Sequence, residues 1–422
     1  MQKVPIEPGR LRQPDASVVR IAFVTSEYVL PNRVEGGLAN YLKKTGAELA
    51  RRGSDIWIFV PSDRNACWRD GALTVCEVRK TALLLDAAVR VPLLKRVAPV
   101  AQQLLAAHRL ARRLRKTHRR QAFDIIQTSN YKVPGYFLRN DRRVPLVCRV
   151  SSYTPLYRSA YGRTRNLSES LSDWLEIRHV LDAEAAFAPS RFMAEAYARI
   201  EGYRPQVIRT PVDLSEVTPD LSYYQRHLDG VPYLLFFGSL SRTKGVDLLA
   251  EVIPSVFARH TALWFVFLGR DDGLPNGQKL SDYVRSKCAG LESRLLFSPA
   301  LPKAQLYPVI TNAVGVVLPS RVDNYPNACL EAQWLGVPVV GTRESSLEEM
   351  IADGETGFLA DNGDPASLDD AIERLLAQTP EQRERMKERL RAHVGAIISE
   401  DRVGQLEAFY ESVVDRFRAA DR

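Results

Sequence analysis

The chain has 422 residues, 45% apolar and 26% charged, enough for two ordinary domains with buried cores. It contains no uncharged apolar run of about 18 residues, and its opening stretch MQKVPIEPGRLRQPDASVVR has no apolar centre. Neither a membrane-spanning helix nor a secretory signal is therefore expected. The net charge of +8 conceals an asymmetry: residues 1–210 hold 36 Lys and Arg against 19 Asp and Glu (+17), and the remainder holds 22 against 31 (−9). A basic half suits an anionic partner, such as anionic lipid or a phosphorylated acceptor. No nucleic-acid-binding motif accompanies it, so nucleic acid is not expected. Five cysteines (Cys67, Cys76, Cys148, Cys288, Cys329) lack C-x-x-C spacing. They are read as reduced, mostly core residues of a cytoplasmic protein, with neither a disulfide frame nor a zinc site.

In chain order, RIAFVT (20–25) is a short apolar run, followed by a helical face of Leu38, Tyr41, Leu42 and Leu49 that Gly53 closes. IWIFV (56–60) is the next strand. Gly36 and Gly37 stand between the first strand and this helix, where a glycine pair lets backbone N–H groups approach a phosphate; a plain turn is the commoner reading. The pair is neither G-x-G-x-x-G nor a P-loop, which weakens dinucleotide and ATP readings. A helical stretch over roughly 82–120, broken by Pro92 and Pro99, ends in ARRLRKTHRR. It reads either as a core-facing helix with a solvated basic face or as a segment lying on an anionic membrane. FDIIQTS, PLVCRVS and AAFAPS continue the strand series to residue 190. Prolines 205, 211, 219 and 232 then mark a linker.

A second series follows: YLLFFGS, LWFVFLG, RLLFS, VGVVLPS and VPVVGT, separated by helical patterns. Short apolar strands alternating with helices imply doubly wound parallel sheets. The expected α/β architecture is two Rossmann-like domains facing across a cleft: residues 1–208, a linker at 209–230, and residues 231–395. A last helix within 396–422 has an apolar stripe that fits either domain, including a return to the first. In GSLSRTKG (238–245), Gly238 allows close backbone approach, and Arg242 and Lys244 are two cations suited to a diphosphate or simply solvated. Asp323 lies in a loop after VGVVLPS and Glu331 lies on the following helix. Carboxylates there would accept hydrogen bonds from sugar hydroxyls while a helix end takes phosphate, although a cap and a surface ion pair explain the same spacing. The six histidines have no metal-ligand spacing, and neither a G-x-S-x-G elbow nor a DxD-type pair is present.

Taken together, EGG at 35–37, APS at 188–190, Val212–Asp213, GSLSRTKG, the D-x7-E of Asp323 and Glu331, and the trailing GVPVVGT…EMIADGETGFL resemble glycosyltransferase family 4. The resemblance covers nearly the whole chain and implies the GT-B fold and retaining transfer from a nucleotide-sugar donor, without metal or other cofactor. It implies that Glu331 holds the ribose, Asp323 the transferred sugar and Lys244 the diphosphate, these three being the catalytic set. It further implies that the loop of Gly36 and Gly37 reaches the phosphates, and that Gly238, Ser239, Arg242, Asn324, Tyr325, Asn327 and Ala328 complete the donor site. The expected reaction moves a hexose to a glycan or lipid-linked acceptor in cell-surface polysaccharide, lipopolysaccharide or glycolipid synthesis, in the cytoplasm or at the inner membrane face. Four positions depart from the family pattern: Asp323 replaces a glutamate, Ser239 an arginine, Thr210–Pro211 an Asn-Gly, and Ser151 or Ser152 a histidine that touches the sugar. Rival readings are a nucleotide-sugar epimerase of the same fold and a non-catalytic protein that binds membrane or polyanion.

Overall fold

Short, wholly apolar strands need cover on both faces, and helices between successive strands supply it. The computed structural model describes residues 18–29, 37–80, 97–162, 166–211 and 217–420, with residues 4–5 and 214. The first strands are β1 (Val4–Pro5), β2 (Arg20–Val24), β3 (Asp55–Ser62), β4 (Ala66–Asp70) and β5 (Leu73–Arg79). They are joined by β6 (Ile125–Ser129), β7 (Leu146–Arg149), β8 (Ala185–Ala188) and β9 (Gln206–Val207). Among the described residues these form one sheet in the order β1-β4-β5-β3-β2-β6-β7-β8-β9. Its strands pair in parallel from β5 to β9, while β4 runs antiparallel to both β1 and β5.

Helix α1 (Gly37–Arg51) buries Leu38, Tyr41, Leu42 and Leu49, the face its spacing predicts. Helix α2 (Ala98–His118) takes Pro99 into its first turn, where the missing N–H has no partner to lose. Its apolar stripe (Val100, Ala107, Leu110, Leu114) is buried, so this face turns to the core and the basic residues face outward. Residues 81–96, the earlier part of that expected helical stretch, lie outside the described residues. Helix α3 (Leu167–Leu181) opens with a capping box between Asn166 and Glu169. One expectation is corrected here. Cys67 and Cys76 form a disulfide, because the β4–β5 hairpin sets them directly opposite each other in register. Cys148, Cys288 and Cys329 are free and buried.

The second half contributes β10 (Tyr233–Phe237), β11 (Leu240–Ser241), β12 (Trp264–Leu268), β13 (Asp271–Gly273), β14 (Leu295–Ser298), β15 (Gly315–Val317), β16 (Val339–Thr342) and β17 (Gly357–Ala360). Six of these form an all-parallel sheet, β14-β12-β10-β15-β16-β17, with β11 and β13 paired beside it. Helices α4 (Val246–Arg259) and α5 (Asn327–Trp334) follow β11 and β15. The final helix, α6 (Arg402–Ala420), crosses back to the first sheet. Its Leu406, Phe409, Tyr410 and Val413 join the cluster of Ile21, Phe23 and Phe187, and the Phe187 and Phe409 rings meet edge to face at 5.5 Å.

Candidate functional site

Residues that follow β7, β10 and β15 line one cavity of about 520 Å³ between the two sheets. A larger cavity of about 770 Å³ opens beside α6, bounded by Val18, Ser54 and Asp124. Those residues precede β2, β3 and β6, and open α/β folds bind ligands at the opposite, carboxyl ends of strands. The smaller cavity is therefore the candidate site.

Its second-domain wall is set by backbone as much as by side chains. Gly238 leaves β10 at φ +138°, and Gly245 turns into α4 at φ +73°. A Cβ on Gly245 would stand 1.9 Å from the Pro319 carbonyl oxygen, so only glycine lets this loop lie against residues 319–321. Arg321 N–H donates to the Thr243 carbonyl at 2.9 Å and ties the two loops together. That contact brings Lys244 to Asp323, whose carboxylate accepts from the Lys244 ammonium. Asp323 also accepts from Ser320 Oγ (3.2 Å) and from the Asn324 N–H (2.9 Å), and it is 8% exposed. Tyr325 holds the left-handed conformation at φ +66°, and its N–H donates to Ser346 Oγ at 2.7 Å. The first turn of α5 then faces the cavity through Asn327 and Ala328. Glu331, one turn later and half-buried, stands outside the lining.

The first-domain wall consists of Gly37 and Leu38 at the start of α1 with Arg149, Ser151 and Thr210. Gly36 lies outside the described residues. Asn324 crosses the cleft: its Nδ2 donates to the Ser151 carbonyl at 2.8 Å, and its Oδ1 accepts from Ser190 Oγ at 2.9 Å. Ser190 also caps the helix Arg191–Glu201 by accepting from the Met193 N–H. Ser152 is outside the lining, and its carbonyl accepts from Asn130 Nδ2 at 2.6 Å. Arg242 also lies outside the lining; it pairs with Asp247 at 3.5 Å and packs on Gly162.

Arg149 escaped the sequence reading. It ends β7, is 7% exposed, and donates from Nη1 to Ser151 Oγ and from Nη2 to Thr210 Oγ1, each at 3.1 Å. Its guanidinium lies 4.0 Å above the Tyr41 ring of α1. Burial pulls its pKa down, against the opposing influence of Tyr41 and Tyr410. The signal was a lone cation closing an otherwise apolar strand, LVCR.

Two family models match: "Glycosyltransferase Family 4" over residues 35–216 and "Glycosyl transferases group 1" over residues 225–393. The chain belongs to glycosyltransferase family 4. This family 4 glycosyltransferase is 24% identical over 419 residues to the D-inositol 3-phosphate glycosyltransferase of Corynebacterium glutamicum, covering 94% of this chain and 97% of that one. It is 28% identical over 211 residues to the enzyme of the same name from Acidothermus cellulolyticus, covering 48% of this chain and 44% of the relative. Among solved structures it superposes on sucrose-phosphate synthase from Thermosynechococcus elongatus with a TM-score of 0.74 at 19% identity, over 94% of this chain and 100% of that one. An E. coli structure described as trehalose-6-phosphate bound with UDP-2-fluoro glucose gives 0.71 at 11% identity, over 94% and 99%. The fold of this glycosyltransferase is GT-B.

Proposed function

We propose that this family 4 glycosyltransferase moves a hexose from a nucleoside-diphosphate sugar to a glycan or lipid-linked acceptor, with retention at the anomeric carbon. The observation that carries the reading is the joining of Lys244 and Asp323 in a cavity that also meets the first turns of α1 and α5. A helix start and an ammonium suit a diphosphate, and a carboxylate suits the sugar hydroxyls. Glu331, four residues after Asn327 on α5, takes the ribose hydroxyls in this reading. In the proposed reaction the bond from C1 to the phosphate oxygen breaks as the acceptor oxygen bonds C1 from the same face. The acceptor's proton passes to the departing diphosphate. The chain's contribution is positioning and charge stabilisation, and its fixed cations leave transfer independent of added metal.

The names of the relatives put a phosphorylated polyol in the acceptor's place, so acceptors of that kind belong beside glycans and lipid-linked sugars in any assay. The test is a titration with UDP-, GDP-, ADP- and dTDP-sugars in magnesium and in EDTA, followed by NMR assignment of the product anomer. One nucleotide class should stabilise the protein in both buffers and yield a product of unchanged anomeric configuration. Stabilisation by none of them would overturn the reading. A sugar altered without any acceptor would make the protein an epimerase. Glu331→Ala should lower turnover at least about tenfold with the thermal transition intact, the equivalent of one lost charge-assisted hydrogen bond.

A further inference from the structure

Two departures from the family pattern meet at one side chain, and a third lines the same cavity. Ser151 belongs to the Ser151–Ser152 pair found where a histidine is usual, Thr210 stands where an asparagine is usual, and the Ser151 and Thr210 hydroxyls are the two that hold the Arg149 guanidinium. Ser239 stands where an arginine is usual, and Arg242, the nearest replacement in sequence, is turned to Asp247 outside the cavity. On the second-domain side this leaves Lys244, whose ammonium is already engaged by Asp323. Arg149 is more than nine-tenths buried, lines the same cavity, and has no carboxylate partner among the described residues. A buried guanidinium without an anion is costly, and two hydroxyls and an aromatic face offset only part of that cost. Two of its five N–H donors serve those hydroxyls. The stacking on Tyr41 also puts the charge beside the first turn of α1, whose Gly37 and Leu38 share the lining.

We propose that Arg149 binds the donor's diphosphate from the first domain, replacing the cation that the second domain lacks at Ser239. This rests on the donor assignment made above. Arg149 and the start of α1 take one side of the diphosphate, and Lys244 takes the other. Both domains must then meet on the ligand for the leaving group to be neutralised. A guanidinium fork fixed by Ser151 and Thr210 suits phosphate oxygens better than a flexible ammonium would.

The experiment compares each nucleoside diphosphate with its monophosphate (UDP with UMP, and likewise for the G, A and dT pairs) on the full chain by calorimetry. For the base that wild type binds, the diphosphate should bind more tightly than the monophosphate. Arg149→Met should remove about ten- to a hundredfold of that preference and leave monophosphate affinity nearly unchanged. Arg149→Lys should recover part of it. A general packing role would weaken both ligands alike, and a thermal scan of each variant checks that the fold persists. An unchanged preference in Arg149→Met overturns the proposal while leaving the donor assignment intact. So does an effect confined to the KM of a phosphorylated acceptor, which would give the side chain to the acceptor instead. Failure of wild type to bind any of the nucleotides would overturn the donor assignment itself.

Discussion

At Asp323 and Lys244 the chain holds a charge pair before any ligand arrives. Asp323 is nearly buried, so its carboxylate depends on the ammonium, Ser320 Oγ and the Asn324 N–H for what water would otherwise supply. Lys244→Met removes the only charged donor among these three. It should lower the unfolding free energy by about 1–3 kcal/mol in urea titration and abolish transfer. Combining it with Asp323→Asn should return part of the stability and none of the activity. A single variant as stable as wild type would show that the pair serves the ligand alone. These two residues were legible in sequence because a glycine-flanked loop and a strand–loop–helix junction announce themselves locally. Arg149 was not, because its partners Tyr41 and Thr210 belong to distant elements and reach it only once the sheet is folded. Arg242 read as Lys244's equal because spacing carries no information on which way a loop side chain turns.

Between elements, α3 and β6 enclose a histidine that burial keeps neutral. His179 is wholly buried, with Nε2 3.3 Å from Thr128 Oγ1 and Nδ1 without a partner among the described residues. Burial, helped by the nearby Arg139 charge, pushes its pKa down to about 3. An unfolded histidine titrates near 6.5, so between those values the unfolded chain holds a proton that the native one does not. Stability is then full above pH 6.5 and falls as pH drops below it, by up to about 1.4 kcal/mol per unit. From pH 7 to pH 5 this one group should remove about 2 kcal/mol. His118, also lowered by burial, adds in the same direction. Urea midpoints at the two pH values should show His179→Asn with a distinctly shallower fall, and an equal fall would place the pH response elsewhere. Elements themselves were largely legible, since strand length and helical period are local properties. The Cys67–Cys76 bridge was not, because nothing in a nine-residue separation says that the intervening chain reverses as an antiparallel hairpin. Nor could the sequence say that the apolar stripe of α2 faces the core, which leaves Arg112 and Lys116 among its outward residues.

Across the whole molecule, that last point changes the form of any membrane contact. We propose peripheral association with anionic lipid on the strength of the +17 balance of residues 1–210 and the exposed Arg112, Lys116, Arg119 and Arg120. With the α2 stripe buried, the attraction would be electrostatic. Binding to phosphatidylserine vesicles should fade steeply above about 0.1 M salt, where charges are screened within about 10 Å. Salt-insensitive binding, or none at all, would remove the proposal.

The same scale governs the cleft, whose two walls are tied by direct hydrogen bonds and ion pairs. Asn324 makes three, to the Ser151 and Val150 carbonyls and from Ser190, while the Phe192 N–H donates to Glu349 at 2.6 Å. Arg402 adds two more, donating to the Thr210 carbonyl and to the Tyr325 hydroxyl at the point where α6 leaves the second domain, and Arg191 pairs with Glu349 at 3.6 Å. Asn324 combines a place in the cavity lining with side-chain bonds to the opposite domain, so it couples ligand contact to closure. Asn324→Ala leaves its former partners free to take water, and the net loss should be about 1 kcal/mol, a fivefold shift toward the open form. Small-angle scattering of the unliganded variant should report a larger radius of gyration than wild type, and KM for the donor should rise more than kcat falls. If the radius is unchanged while turnover collapses, Asn324 acts on the bound sugar rather than on the hinge. Closure would then rest on contacts such as those of Arg402 and Glu349.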